Sequence, residues 1–221
     1  MEQVEQARSS GGTPSGVDER DVPQVAKQPR FVGVLADTLL SGGIALVHSD
    51  LGYVVLAHAL DREGVERVRT LPGLPASPMR LITDPEGAHR VAVVTARARQ
   101  LIFQTWPGTL ALRVPRRRWL PSWAGSRDSV TLLCPDAFLW RSARTVGAPL
   151  VCRFALPTVE RRGGCPIERL GDDVDLVVDG GLSVAVPMTL LDLTSVRPRV
   201  ASASGAFEAH RLHRLVPGLS I

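Results

Sequence analysis

The sequence predicts a fold of the α/β (α+β) class, in which helices pack on a mixed, twisted β-sheet. Three observations predict it. About seven short apolar runs have the length and composition of buried strands, and about four or five segments have helical spacing. These strands and helices do not alternate regularly, which favours a mixed sheet over a parallel one. With 221 residues and 44% hydrophobic content, the chain is long enough for one domain with its own core.

The first half of the chain begins with a segment unlike the rest. Residues 1–30 have almost no large apolar side chains and no periodicity, so burial cannot offset the entropy lost on ordering, and we predict a disordered tail. Residues 31–41 have apolar side chains at helical spacing and end at a Gly-Gly pair, which favours a helix end. The strand IALVH, the polar helix DREGVERVRT and the strand MRLIT follow.

The second half mixes strands and helices in irregular order. One long helix is predicted from residue 84 to residue 106, opened by Asp84 with Pro85 in its first turn. The strands TLALRV and DSVTLLC follow, and then a helix in PDAFLWRSARTVG that ends at Gly147, and the strand PLVCRF. Three more strands, VDLVVDGG, MTLLDLT and PRVAS, are separated by Gly, Pro and Ser turns, and residues 208–221 form a C-terminal helix or tail.

Charge and cysteine content narrow the class of protein. Of the 26 lysine and arginine residues only Lys27 is a lysine, and the net charge is +4, so phosphate-bearing partners are permitted but not required. The three cysteines are widely spaced, which argues against a disulfide framework or a thiolate metal site. Neither a secretory signal nor a run of about 18 uncharged apolar residues occurs, so we expect a cytoplasmic protein without a membrane partner.

Five motifs, taken in order, resemble those of the YrdC-like family, which includes the threonylcarbamoyl-adenylate synthases. HSDLGYVVL resembles the family's P-T-D-T-x-Y-G-L: it keeps Asp50 and Tyr53, and Ser49 stands for the first Thr. PGLPASPMRLIT resembles the segment around K-x-R-P, with Pro72 and Leu74 where the Lys and Arg are expected. WPGTLAL closely matches W-P-G-x-L-T. The first three motifs therefore keep the scaffold pattern while part of the polar chemistry changes.

The last two motifs show the same change. GAPLVCRFALP lies where G-x-P-l-v-a-t-S-A-N is expected, with Phe154 and Leu156 in place of the Ser and Asn. VDLVVDGGLSVAVPMTLLDLT follows v-D-l-i-l-D-g-G…p-S-T-v-v-d, with Met188 for the Ser and with Thr189 kept. The resemblance covers residues 31–207 and implies a YrdC-like domain with an open, basic cleft for ATP, threonine and bicarbonate. There a carbamate attacks the α-phosphate and releases pyrophosphate, which requires fixed cations and Mg²⁺.

Because most polar motif residues are replaced, we predict a divergent member of this family with a weakened or altered nucleotide/carbamoyl cleft. It is either non-catalytic or acts on a different small substrate, and no catalytic residue can be assigned. The candidates for binding a small molecule or nucleotide are Ser49, Asp50, Tyr53, Arg80, Arg153 and Thr189. For the first three the alternative is a hairpin turn with a buried tyrosine, and Thr189 could be an ordinary strand residue. Strand alternation could equally turn either arginine outward.

The main alternative is an active threonylcarbamoyl-adenylate synthase that uses ATP and Mg²⁺. It requires cations from Arg80, Arg153 or residues 113–118 to converge on a pocket beside Asp50 and Tyr53. An apolar pocket would instead suit a hydrophobic ligand or partner. Its expected lining is Leu74, Phe154, Leu156 and Met188.

The segment RVPRRRWLPSW supports a second alternative, an RNA-binding module. It interleaves basic and aromatic residues as an RNA-contacting loop does, although a solvated arginine run beside buried tryptophans has the same pattern. The RNA-binding candidates are Arg113, Arg116, Arg117, Arg118 and Trp119. No metal site is predicted, because His210 and His213 lack a further ligand at suitable spacing. Asp172 and Asp173 are expected in a loop, and Asp179 in a turn that ends a strand.

Overall fold

A ten-stranded mixed β-sheet runs through the described part of the protein. The computed structural model describes residues 22–155, 166–181, 186–202, 212, 214, 215 and 219. The strands are β1 (Gln24–Ala26), β2 (Ala45–Ser49), β3 (Gly52–His58), β4 (Arg80–Ile82), β5 (Leu110–Pro115), β6 (Ser129–Leu133), β7 (Leu150–Phe154), β8 (Leu176–Asp179), β9 (Thr189–Asp192) and β10 (Arg199–Ser202). They lie in the order β1-β8-β2-β3-β7-β4-β6-β5-β9-β10, with parallel and antiparallel pairs. The predicted fold class is confirmed.

Helices cover both faces of this sheet. Their bounds are α1 (Val32–Leu40), α2 (Arg62–Thr70), α3 (Ala88–Val91), α4 (Ala96–Thr105), α5 (Ala137–Val146) and α6 (Pro166–Leu170). The apolar sides of α2, α3 and α4 join one core, and those of α1 and α5 join a second core. We call the sheet face under α2, α3 and α4 the front face, and the face under α1 and α5 the back face. No helix in the described ranges is long and apolar enough to span a membrane.

The hairpin of β2 and β3 forms the centre of the sheet and follows from local sequence. Successive side chains along both strands point to opposite faces of the sheet, so Tyr53 joins the front core while Val54 joins the back core. Gly52 closes the turn with a φ of 107°, a backbone conformation that side chains disfavour. The hairpin predicted as an alternative for Ser49, Asp50 and Tyr53 is therefore present, and its register pairs Ser49 with Gly52.

The prediction of one long helix from residue 84 to residue 106 is wrong. The structure has the short α3 and then α4, which is capped by the preceding Thr95, whose side chain accepts a hydrogen bond from the Ala98 amide. Between the two helices, the Val93 amide donates to the Pro115 carbonyl oxygen, so this segment pairs with the end of β5. β-branched valines favour this extended pairing over a continuous helix. Asp84 caps only a turn, where it accepts from the Gly87 amide.

The ordered part of the structure extends beyond both predicted boundaries of the domain. Gln24–Ala26 is a strand that pairs in parallel with β8, so the tail predicted over residues 1–30 does not extend to this strand. At the other end, Leu212 and Leu219 are buried in the front core, beyond the predicted limit of the domain at residue 207. His210 and His213 lie outside the described residues, as does the start of the tail.

Candidate functional site

Tyr53 and Arg153, two of the predicted site residues, lie on adjacent strands of the front face. Arg153 pairs with Val55 across β3 and β7, and the Ala155 amide donates to the Tyr53 carbonyl oxygen (2.8 Å). Thr189 also faces the front, with its hydroxyl buried and without a hydrogen-bond partner, but β9 lies five strand positions from β3. The structure thus brings together Tyr53 and Arg153, and places Thr189 apart from them.

Tyr53 connects the hairpin to the end of β8. It is buried, and its hydroxyl donates to Asp179 Oδ1 (2.7 Å), with the Gly181 carbonyl oxygen at 3.2 Å. The Gly181 amide donates to the same carboxylate oxygen (2.7 Å), and Gln24 Nε2 donates to Oδ2 (3.1 Å). The hydrogen bond from Tyr53 lowers the pKa of Asp179 most, and the hydrogen bond from the Gly181 amide lowers it further. The predicted strand-ending turn at Asp179 is present, and Tyr53 holds it against the front core.

Asp50 lies beside a cation that was not predicted at the site, Lys27, which directly follows β1. The Lys27 ammonium lies 3.0 Å from Asp136 Oδ2 and 3.5 Å from Asp50 Oδ1. Asp136 also caps α5 by accepting from the Leu139 amide (2.8 Å). Lys27 was not among the predicted site residues, because it lies in the segment predicted as a disordered tail; its being the chain's single lysine was the available signal.

Ser49 is used by the hairpin turn itself. Its hydroxyl donates to the Gly52 carbonyl oxygen (2.6 Å) and accepts from the Leu51 amide (3.2 Å). The preceding His48 packs against Gly180, and its imidazole lies edge-on to Tyr53 with ring centroids 5.1 Å apart. Burial, and then the charge of Lys27, lower the pKa of His48.

Arg153 is a buried cation surrounded by backbone oxygens. Its Nη1 donates to the carbonyl oxygens of Val68 (3.1 Å) and Arg69 (2.6 Å), and its Nη2 donates to that of Pro75 (2.8 Å). Only 8% of Arg153 is exposed, Nε has no hydrogen-bond partner, and no described carboxylate pairs with it. Burial lowers the pKa of Arg153, although a guanidinium remains charged at neutral pH. The side chain ties the end of α2 to β7.

An open cavity of about 490 Å³ borders Arg153. Arg69 and Ser77 also line it, together with Ala76, Pro78 and Met79. The Ser77 hydroxyl is buried without a hydrogen-bond partner. This segment is the one that resembles the K-x-R-P motif, so two arginines from elsewhere stand near the position of the expected cations. Arg69 and Ser77 were not among the predicted site residues, because no sequence motif indicated either.

Arg80 does not take part in the convergence of cations that the synthase alternative requires. Its register partner in β7 is Cys152, and its guanidinium lies 5.1 Å from the ring centroid of Phe154, which belongs to the back core. Arg80 Nη1 donates to the Pro78 carbonyl oxygen (3.0 Å). Burial raises the pKa of the Cys152 thiol to about 12, despite the nearby guanidinium. Arg80 therefore lies on the back of the sheet and does not converge with Arg153.

The four residues expected to line an apolar pocket do not form one. Phe154 and Met188 are buried in the back core, whereas Leu74 packs against the front core. Leu156 lies outside the described residues.

The arginine and tryptophan segment is largely engaged within the chain. Arg116 Nη1 donates to the Leu120 carbonyl oxygen (2.8 Å) and Arg117 Nε to that of His89 (2.6 Å). Arg113 lies 3.8 Å from Asp192. Arg118 is exposed and has no described partner, and Trp119 is exposed while its indole NH donates to the Arg90 carbonyl oxygen (2.7 Å).

A metal ligand set is missing from the described part of the chain. No group of three or more His, Cys, Asp or Glu side chains there is arranged to hold an ion. Asp172 and Asp173 lie in a short 3-10 turn after α6.

Comparisons with known proteins agree with this fold. The sequence model of the Sua5/YciO/YrdC family, described as "Telomere recombination", matches residues 37–203. A protein of Haemophilus influenzae, described as uncharacterized, is 25% identical over 181 residues, which cover 77% of this chain and 87% of that protein.

Two solved structures are similar as well. Escherichia coli YciO superposes with a TM-score of 0.68 at 22% identity, over 81% of this chain and 92% of YciO. Pyrococcus abyssi Sua5, in complex with L-threonine, gives a TM-score of 0.75 at 19% identity over 90% of this chain. The chain spans 61% of that Sua5. At these identities the superpositions show the fold, and the match over residues 37–203 shows the family. The chain belongs to the Sua5/YciO/YrdC family.

Proposed function

We propose that the protein binds a small molecule with a carboxylate or phosphate group at the cavity beside Arg153, and that it does not form an adenylate. The observation that carries the proposal is that Arg153 is buried among three carbonyl oxygens with no described carboxylate beside it. Buried charges in proteins are normally paired. An anionic ligand would supply the opposite charge, and Arg69, which pairs with the exposed Glu66, lines the same cavity as a second cation.

The family chemistry requires more than this cavity offers. Adenylate formation concentrates negative charge, which fixed cations and Mg²⁺ must stabilise. Pro72 and Leu74 stand where the resemblance expects Lys and Arg, and Lys27 is held between two aspartates. The described residues that line this cavity include no carboxylate, so they offer no protein ligand for the Mg²⁺ of ATP. Each lost charge-stabilising donor costs on the order of 3 kcal/mol in the transition state, which supports a binding role or a different substrate.

The alternative is an active threonylcarbamoyl-adenylate synthase, and the same experiment separates the two. The purified protein is titrated with pyrophosphate, ATP and L-threonine in a calorimeter, and pyrophosphate release is assayed with ATP, Mg²⁺, bicarbonate and threonine. We expect at least one probe to bind and no pyrophosphate to form. The proposal includes a cytoplasmic location, where such small anions are available.

Two variants locate the binding. Arg69→Ala should weaken binding about tenfold, because it removes one of the two cations at the cavity. Arg141→Ala removes an exposed arginine of α5, on the opposite face of the sheet, and should leave binding unchanged. Pyrophosphate release would establish the synthase, and no heat from any of the three probes would show that the cavity is not an anion site.

A further inference from the structure

Two cavities flank α3, away from Arg153. The first, about 380 Å³, has an apolar floor that includes Val94, Ile102 and Phe103. The second, about 120 Å³, includes Leu60 and Trp119 in its lining. We call the surface that carries both cavities the α3 surface; it comprises Leu60, His89, Arg90, Val93, Arg99, Phe103 and Trp119.

Exposed apolar side chains concentrate on the α3 surface. Seven large apolar side chains are exposed in the described part of the chain, and four of them are Leu60, Val93, Phe103 and Trp119. Scattered single apolar residues are ordinary on protein surfaces, but a group around concave pockets marks an interaction site. The distribution therefore points to a partner.

Hydrogen bonds hold this surface in place. The Trp119 indole donates to the Arg90 carbonyl oxygen, and Arg117 donates to the carbonyl oxygen of His89, so the loop after β5 is tied to the end of α3. The Val93 amide is bound by the Pro115 carbonyl oxygen. A surface that is already ordered loses little conformational entropy when a partner binds.

Each cavity is lined by one arginine and one carboxylate, and the surplus of positive charge lies around them, where Arg117 and Arg118 are exposed beside His89 and Trp119. His89 and Arg99 line the larger cavity, and Arg90 lines the smaller one. The acidic groups are Glu86, which is exposed at the larger cavity, and Asp84, which is buried with Arg90 3.9 Å away. Complementarity therefore favours an acidic partner.

We propose that the α3 surface binds an acidic protein segment that places an apolar side chain in each of the two cavities. Nucleic acid fits the observations less well. The Arg99 guanidinium lies 5.7 Å from the ring centroid of Phe103, where it competes with base stacking, and Arg116 and Arg117 already donate to carbonyl oxygens. Concave apolar cavities suit side-chain anchors rather than flat bases.

A peptide-display selection on the full chain tests the proposal. Selected peptides should be enriched in Asp or Glu together with large apolar residues. One of them, labelled with a fluorophore, is then titrated by anisotropy against the wild type and four variants. Phe103→Ser and Arg99→Glu should each weaken binding about tenfold.

Two control variants match these changes. Leu40→Ser alters an equally exposed apolar side chain on α1, 58% exposed as Phe103 is, and Arg141→Glu reverses an exposed charge on α5. Both should bind like the wild type, and unfolding in urea verifies that all four variants fold. The proposal is overturned if no peptides are enriched, if they lack acidic residues, or if Phe103→Ser binds them unchanged. It is also overturned if single-stranded oligouridylate binds with a steep salt dependence and is lost in Phe103→Ser, which assigns the surface to nucleic acid.

Discussion

Replacing Arg153 with methionine should destabilise the protein, because the guanidinium satisfies three carbonyl oxygens between α2 and β7. The bond to Val68 is buried, and an unpaired buried carbonyl costs about 1–3 kcal/mol. The carbonyl oxygens of Arg69 and Pro75 are partly buried and can bind water instead, and the buried charge no longer has to be desolvated. We therefore expect a net loss of about 2 kcal/mol.

Urea unfolding followed by tryptophan fluorescence measures this loss, since the chain has four tryptophans. A loss of about 2 kcal/mol corresponds to a fall in Tm of about 4–8 °C for a domain of this size. Arg153→Lys is the matched control: it keeps the charge, but a single ammonium cannot reach all three oxygens, so it should recover only part of the stability. A methionine variant as stable as the wild type would refute the reasoning that this guanidinium holds α2 to the sheet.

Three further changes test the local geometry. Thr95→Ala should cost about 1 kcal/mol in urea unfolding, because it removes the cap of α4. Gly180→Ala would place a Cβ 2.4 Å from the His48 ring and should cost about 1–3 kcal/mol, and adding His48→Ala should restore stability; persistence of the loss would contradict the clash. Tyr53→Phe should raise the pKa of Asp179, because it removes a hydrogen bond to the carboxylate. The lowered pKa of Asp179 stabilises the wild-type fold above about pH 4, so the difference in unfolding free energy between wild type and variant should shrink as the pH falls towards about 3. A difference that stays constant with pH would show that the lost stability does not come from the ionisation of Asp179.

Features determined by neighbouring residues were predictable from the sequence. Helix α5 is an example, since Asp136 before its first turn and Gly147 in the left-handed conformation after its last are local signals of a start and an end. The hairpin around Gly52 is another, because apolar strands flank a short polar turn. The break between α3 and α4 was not predictable in this way, because it depends on pairing of Val93 with the end of β5, a contact that helical periodicity does not reveal.

Features determined by distant residues were missed for a physical reason. Strand β1 was assigned to a disordered tail because it has few apolar side chains, but its order comes from backbone pairing with β8, about 150 residues later in the chain. This pairing places Lys27 within reach of Asp136. Likewise, the motifs identified Arg80 and Arg153 as candidate cations without showing their faces, since a shift of one residue in register exchanges the two faces of a strand.

The environment of Arg153 separates binding from catalysis. Both Nη groups are engaged with the backbone, so directing them at a transition state would require breaking three hydrogen bonds. A charge fixed in this way acts on the bound substrate and on the transition state to a similar extent, which strengthens binding without accelerating the chemical step. A buried cation whose donors are fixed in this way therefore supports the proposal of a cleft that holds an anion rather than one that transforms it.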